Sequence, residues 1–183
     1  GLIMIFFLVM PGLIGGFGNV FIPILIGWPE VIYPRVNNMS ILIIPYSYVS
    51  IILSMSSEFG IGIGWTLYPP LSTSLLQLTS LGLLLILLGL LLSGLSSSLS
   101  ALNILGTILQ LKWFGLTFTY HQVYVGSLLW TTSMLLVVIP ILSGALVMLL
   151  LDVHYNSIFF DPIFGGDPVY YQHIFWLFGH PEV

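Results

Sequence analysis

Long runs without charge decide what this chain can become. From Leu75 to Leu111 no ionisable side chain occurs. As helix that stretch is about 55 Å long, against the roughly 30 Å of a bilayer's hydrocarbon core, so only part of it can span. The whole sequence follows suit: 58% of its 183 residues are hydrophobic and 4% are charged, whereas soluble proteins carry about a quarter charged residues. The expected fold is all-α and polytopic, within a membrane.

The few charged letters exclude several classes of function. Net charge is −4 and the only basic residues are Arg35 and Lys112, so there is no cationic surface for nucleic acid or anionic headgroups. Cysteine is absent, which removes disulfides, thiolate metal sites and iron-sulfur clusters. The four histidines are the only nitrogen side chains suited to a transition metal. Gly1 and Val183 both lie inside apolar runs, so the sequence is expected to be an internal fragment, and no cleavable signal is visible in it.

Read in order, the chain is expected to form a single transmembrane domain with about five helices, the first and last incomplete. Residues 2–27 make the first span, interrupted by Pro11, Gly12, Gly15, Gly16, Gly18 and Pro23, whose smallness lets a helix or a flat ring approach closely. The loop from Trp28 to Arg35 holds Glu30, and the second span covers 37–57. Glu58 to Leu71 is an aromatic loop suited to the bilayer surface. The third span is placed at 81–106, beginning in near low-complexity leucine. After a connector from Lys112 to Gln122 comes the fourth, 123–151. The polar loop from Asp152 to Pro168 precedes a fifth span, 169–183, which is cut short.

Arg35 and Lys112 fall in the first and third loops; Glu58, Asp152, Asp161 and Asp167 fall in the second and fourth. The positive-inside rule puts the first and third loops, Glu30 included, on the matrix or cytoplasmic side.

Within the spans, Asn19, Asn37, Asn38, Ser40, Ser96, Ser97 and Asn103 recur toward the Arg35 side. Taken singly, each is accounted for by interhelical hydrogen bonding, worth about 0.6 kcal/mol on average, or by a hydroxyl bonding back to its own helix. Taken together with Glu30 at the loop and Glu182 in the last span, they can hold a file of waters for protons, since Asn, Ser and water all donate and accept.

Glu182 is the stronger signal. An ionisable group in hydrocarbon costs at least a few kcal/mol and is usually kept for ion, proton or cofactor work. The alternative is a structural carboxyl bonded to a backbone carbonyl. His180 precedes Pro181, which frees the carbonyl of Leu177 and marks a kink where a ligand can be presented. One histidine does not make a metal site, and His173 lies about 10 Å away along a helix, too far to share an ion about 2 Å from each ligand. At helical spacing His173, Trp176 and His180 share one face, while Glu182 points about 200° round from His180. His121 and His154 fall in connectors.

The strings Gly15-Gly-Phe-Gly-Asn19, Pro34-Arg-Val-Asn-Asn-Met-Ser40, Gly64-Trp-Thr-Leu-Tyr-Pro-Pro-Leu71, Phe159-Phe-Asp-Pro-Ile-Phe-Gly-Gly-Asp-Pro168 and Tyr171-Gln-His-Ile-Phe-Trp-Leu-Phe-Gly-His-Pro-Glu-Val183 resemble the catalytic subunit of the haem-copper oxygen reductases, in order and with near-family spacing. The resemblance runs along the whole chain, weakest at about 72–92 and 110–125. It implies a fragment of a twelve-helix bundle that holds two haems and copper and reduces O2 to water with electrons from cytochrome c or quinol, coupled to proton translocation. By the same resemblance His180 is the first histidine ligand of the active-site copper, Glu182 passes protons to the haem-copper site, and Trp176 is the indole beside it. Asn19, Asn37, Ser40, Ser96, Ser97 and Asn103 match the lining of a proton pathway, with Glu30 as its entrance acid where the family usually has Asp. The partners implied are the other oxidase subunits, notably the donor-side copper subunit, cytochrome c through the complex, and membrane lipid. The location implied is the mitochondrial inner membrane, or alternatively a bacterial plasma membrane.

Some letters depart from the family. Leucines and glycine replace a histidine and an aspartate before Ser96, and Val153 stands where an arginine is usual. The resemblance implies that most metal ligands lie outside this stretch, which alone is expected to be inactive. The alternative from another class is a proton-coupled transporter or channel that uses Glu182 and the Asn/Ser file without redox chemistry.

Overall fold

The structure is a computed structural model that describes residues 1–57, 61–73, 81–111 and 122–182, with Glu182 described by its backbone alone. Glu58, Lys112 and His121 lie outside the described residues. Among those described, every regular element is helical. A first run, Met4–Ile26, is π-helical at Met4–Val9 and Pro11–Phe17 before it becomes α1 (Gly18–Ile26). Then come α2 (Pro34–Met55), α3 (Leu81–Gln110), α4 (Val123–His154), a 3-10 turn at Pro162–Phe164, and α5 (Pro168–Glu182).

Local chemistry explains several of these boundaries. Pro11 opens the second π-helical stretch, where a missing N–H costs least. The wider register shows in two bonds, Met10 N–H to Ile5 O and Gly18 N–H to Leu13 O, each reaching back five residues. Gly27 ends α1 in the left-handed region at φ 81°, with its own N–H and that of Trp28 both bonded to Pro23 O at 2.9 Å; Pro29 then cannot extend the helix. Asp167 caps α5, its Oδ1 accepting the N–H of Val169 at 2.9 Å.

Among the described residues, four helical runs are long and apolar enough to cross a membrane: Met4–Ile26, α2, α3 and α4. With 30 and 32 residues, α3 and α4 are about 45 and 48 Å long, so they tilt within the bilayer or project from it. Large apolar side chains face outward from these runs: Ile24 of α1 and Val137 and Trp130 of α4 are 69%, 66% and 65% exposed. Water is a poor solvent for such a surface, whereas lipid tails and further helices are good ones. The protein is an all-α polytopic membrane protein.

The chain divides into two compact units, Gly1–Ile44 with Leu95–Val137, and Pro45–Gly94 with Val138–Val183. The first has a core of Ile22 and Ile26 from α1, Ile104 and Ile108 from α3, and Val125, Leu128 and Leu129 from α4. The four-residue spacings put each set on one helical stripe. In the second, the halves of α2 and α3 approach through small residues seven apart. A Cβ on Gly89 would meet Ile51 Cγ1 at 2.7 Å, and one on Gly82 would meet Ser57 Oγ at 2.6 Å. Ser47 Oγ donates to Gly89 O across the same seam. This unit also holds the aromatic cluster of Phe160, Tyr171 and Phe175, with Phe160 and Tyr171 in edge contact at 5.3 Å.

Candidate functional site

In the first unit, polar side chains from three helical runs meet around a cavity of about 510 Å³. Asn19, Asn37, Asn38, Ser40, Ser96, Ser97 and Ser100 line it, with Met10, Ile14 and Leu135 among the apolar walls. The π-helical stretch contributes Gly15 and Gly16, which leave space where side chains would otherwise stand. Asn19 Nδ2 donates both to Gly15 O at 2.6 Å and to Asn37 Oδ1 at 3.1 Å, tying α1 to α2. Ser40 Oγ donates to Asn37 O at 2.7 Å. From α3, Ser96 Oγ donates to Ser40 O at 2.6 Å and Ser100 Oγ to Ser40 Oγ at 3.0 Å.

The atom left over is the informative one. Asn19 Oδ1 is buried and has no partner among the described residues. A buried amide oxygen without a donor costs about 1–3 kcal/mol, so a cavity with room for several waters is the natural source of one.

Glu30 lies apart from this cavity, exposed, in a second hollow of about 510 Å³ lined by Trp28, Glu30, Ile32, Pro34 and Leu111. Pro34 borders both hollows. The Glu30 loop is fastened to α3, since Tyr33 N–H donates to Asn103 Oδ1 at 3.0 Å and Ile32 N–H to Thr107 Oγ1 at 3.2 Å. Thr107 Oγ1 in turn donates to Asn103 O at 2.7 Å. Asn103 is fully buried, holds the loop and does not border the first cavity; its Nδ2 has no partner among the described residues. Ser100 and Thr107 are the residues that the sequence reading did not single out. The signal was available: 96, 100, 103 and 107 recur at i, i+4, i+7 and i+11, one face of α3.

In the second unit, α5 presents Trp176 and His180 on one side, both exposed, as is His173. Trp176 Nε1 donates to Tyr68 OH, and the indole meets Trp65 edge-on at 6.1 Å. A Cβ on Gly179 would stand 3.0 Å from Trp176 Cε3, so the glycine leaves the ring its place. Tyr171, fully buried, donates its OH to Thr66 O at 3.2 Å. The side chain of Glu182 lies outside the described residues; its backbone belongs to the last turn of α5.

No group of three His, Cys, Asp or Glu among the described residues could hold a metal ion. His180 offers one imidazole where a closed transition-metal site takes three or four donors. These residues therefore do not by themselves form a copper site.

Similarity to known proteins is extensive. The family model described as cytochrome c and quinol oxidase polypeptide I matches residues 1–183. Cytochrome c oxidase subunit 1 of Plasmodium falciparum is 55% identical over 183 residues, covering 100% of this chain and 38% of the relative. That of Plasmodium berghei is 52% identical with the same coverage. That of Mytilus edulis is 44% identical, with 100% of this chain and 33% of the relative covered. The chain thus spans little more than a third of the length of the curated relatives it matches.

Proposed function

The chain belongs to the cytochrome c and quinol oxidase polypeptide I family, and from that premise we propose that the whole subunit reduces O2 to water with electrons from cytochrome c and couples this to proton translocation. The family implies haem and copper in the full subunit and other subunits around it. Those groups supply the electron and oxygen chemistry; this stretch supplies proton access and part of the site's protein wall. The relatives come from eukaryotes, which supports the mitochondrial inner membrane over a bacterial plasma membrane. Their names as oxidase subunits leave the transporter reading without support.

In this reading Glu30 collects protons at the loop. Asn19, Asn37, Ser40, Ser96 and Ser97 hold the waters that carry them, and Asn103 fixes the loop against α3. Glu182 exchanges the proton at the inner end, His180 contributes one copper ligand, and Trp176 stands beside that metal. The observation that carries the reading is the polar cavity itself. Seven polar side chains gathered from three apolar helical runs exceed what packing needs, and the orphan Asn19 Oδ1 calls for water.

The test is made in the full enzyme. Glu182→Gln keeps shape and removes the exchangeable proton, so it should stop proton delivery while both haems stay bound. Normal turnover with pumping intact would sink the assignment. His180→Ala should lose copper and retain haem; a full copper content would remove His180 from the ligand set.

A further inference from the structure

The serines around the cavity do not all do one job, and their hydrogen bonds separate them. Ser96 and Ser100 stand one turn apart on α3, and both grip Ser40 of α2, the first at its carbonyl (2.6 Å) and the second at its hydroxyl oxygen (3.0 Å). The Ser40 hydroxyl proton is itself committed to Asn37 O at 2.7 Å. The donors therefore run in one direction, Ser100 to Ser40 to the Asn37 carbonyl. Asn37 Oδ1 meanwhile accepts from Asn19 Nδ2, and Asn19 Oδ1 is an acceptor with no donor among the described residues.

A hydroxyl has one proton and two lone pairs. With Ser100 donating to it, Ser40 keeps its own proton on Asn37. Ser93 and Ser98 make the same bond three residues back without a second donor, so the loss of Ser100 leaves the Ser40 proton on Asn37 O and opens a lone pair of Ser40 Oγ to a cavity water. Ser100 is half-buried at the cavity wall, and its own lone pairs remain able to accept.

We propose that Ser100 is a positioning residue for proton transfer: by donating to Ser40 Oγ it occupies a lone pair that a cavity water would otherwise take, and so sets how the water file meets Ser40. This rests on the proton-path reading above. Ser100 acts through Ser40 and does not itself carry the proton.

The experiment uses the full oxidase complex, with Ser100→Ala, Ser40→Ala, the double variant, Ser100→Thr and Glu182→Gln. Turnover per bound haem is measured against pH in H2O and in D2O. Ser100→Ala should slow turnover per haem about threefold to tenfold, the weight of one net hydrogen bond, and enlarge the solvent isotope effect. The Michaelis constant for reduced cytochrome c should not change. Ser100→Thr should restore both quantities. The double variant should be no slower than Ser40→Ala alone, because the effect passes through one hydroxyl.

A merely structural serine would lower the yield of assembled complex and leave turnover per haem and its isotope effect at the wild-type value. That result overturns the proposal, as does an additive double variant. Should Ser100→Ala not assemble, Ser100→Gly at the same position carries the same expectations. The two readings fail separately. Glu182→Gln with intact pumping removes the proton path itself, whereas a dead Glu182→Gln beside a wild-type Ser100→Ala removes only the role of Ser100.

Discussion

At Gly166 a Cβ would lie 2.4 Å from Ile158 O and 2.6 Å from Asp161 N. Both are backbone atoms of a loop closed by the bonds Gly166 N–H to Asp161 O at 2.7 Å and Asp167 N–H to Phe159 O at 3.1 Å, so neither swings aside as a side chain would. Gly166→Ala should therefore cost about 1–3 kcal/mol through forced backbone shifts. Gly144, inside α4 with nothing within 4 Å of its would-be Cβ, is the control: alanine there should be neutral or gain up to about 1 kcal/mol in helix propensity. The temperature at which the full oxidase loses haem reads both, and equal behaviour of the two variants would contradict the argument. Asp152, in the last turn of α4, holds the same loop by different means. Its carboxylate accepts the N–H groups of Phe159 at 3.0 Å and Phe160 at 2.8 Å and the Ser157 hydroxyl, so an acid that the sequence offers as one loop charge among several turns out to be an internal template for the loop.

Between elements, the attachment of the Glu30 loop to α3 has the clearest consequence. Asn103→Ala leaves the Tyr33 N–H without its acceptor, a loss of about 0.5–1.5 kcal/mol for a part-buried bond, whereas Asn103→Asp keeps an acceptor at the same place. Amide hydrogen exchange at Ile32 and Tyr33 should quicken accordingly in the alanine variant and much less in the aspartate one. Equal exchange in both would mean that the loop is held by something else. This pair also shows what could be read beforehand. Helicity, the membrane setting and the gathering of Asn19, Asn37, Ser40, Ser96 and Ser97 follow from letters that stand out against leucine. Thr107 does not stand out, because a threonine in an apolar helix usually bonds back to its own carbonyls. It does so here, to Asn103 O, while also accepting from Ile32 N–H, and a backbone partner 75 residues away leaves no trace in composition. The π-helical register of Met4–Val9 and Pro11–Phe17 was equally hidden. Proline and glycine announce close approach there, but the slip from four residues to five depends on which carbonyl each N–H finally reaches.

For the molecule as a whole, the positive-inside rule turns the sorting of charge into a testable direction. In Met4–Ile26 only 11% of the most apolar window is buried within the described structure, so nearly all of that run faces lipid or other helices, and orientation falls to the loops. α2 gives the cleanest measure, since its 22 residues span about 33 Å, close to the hydrocarbon thickness. Arg35 in its first turn and Ser56 just past its last are both exposed. Because this stretch contains no cysteine, a thiol placed at either position is the only one it contributes, and peptide mass after labelling separates it from thiols elsewhere in the complex. Arg35→Cys should react with a membrane-impermeant maleimide from the matrix side and Ser56→Cys from the opposite side, as the positive-inside rule requires. Reaction of both from one side would remove α2 as a span. The reverse pattern would turn the protein over, put Glu30 on the side away from the matrix, and leave the proposed proton path drawing from the wrong compartment.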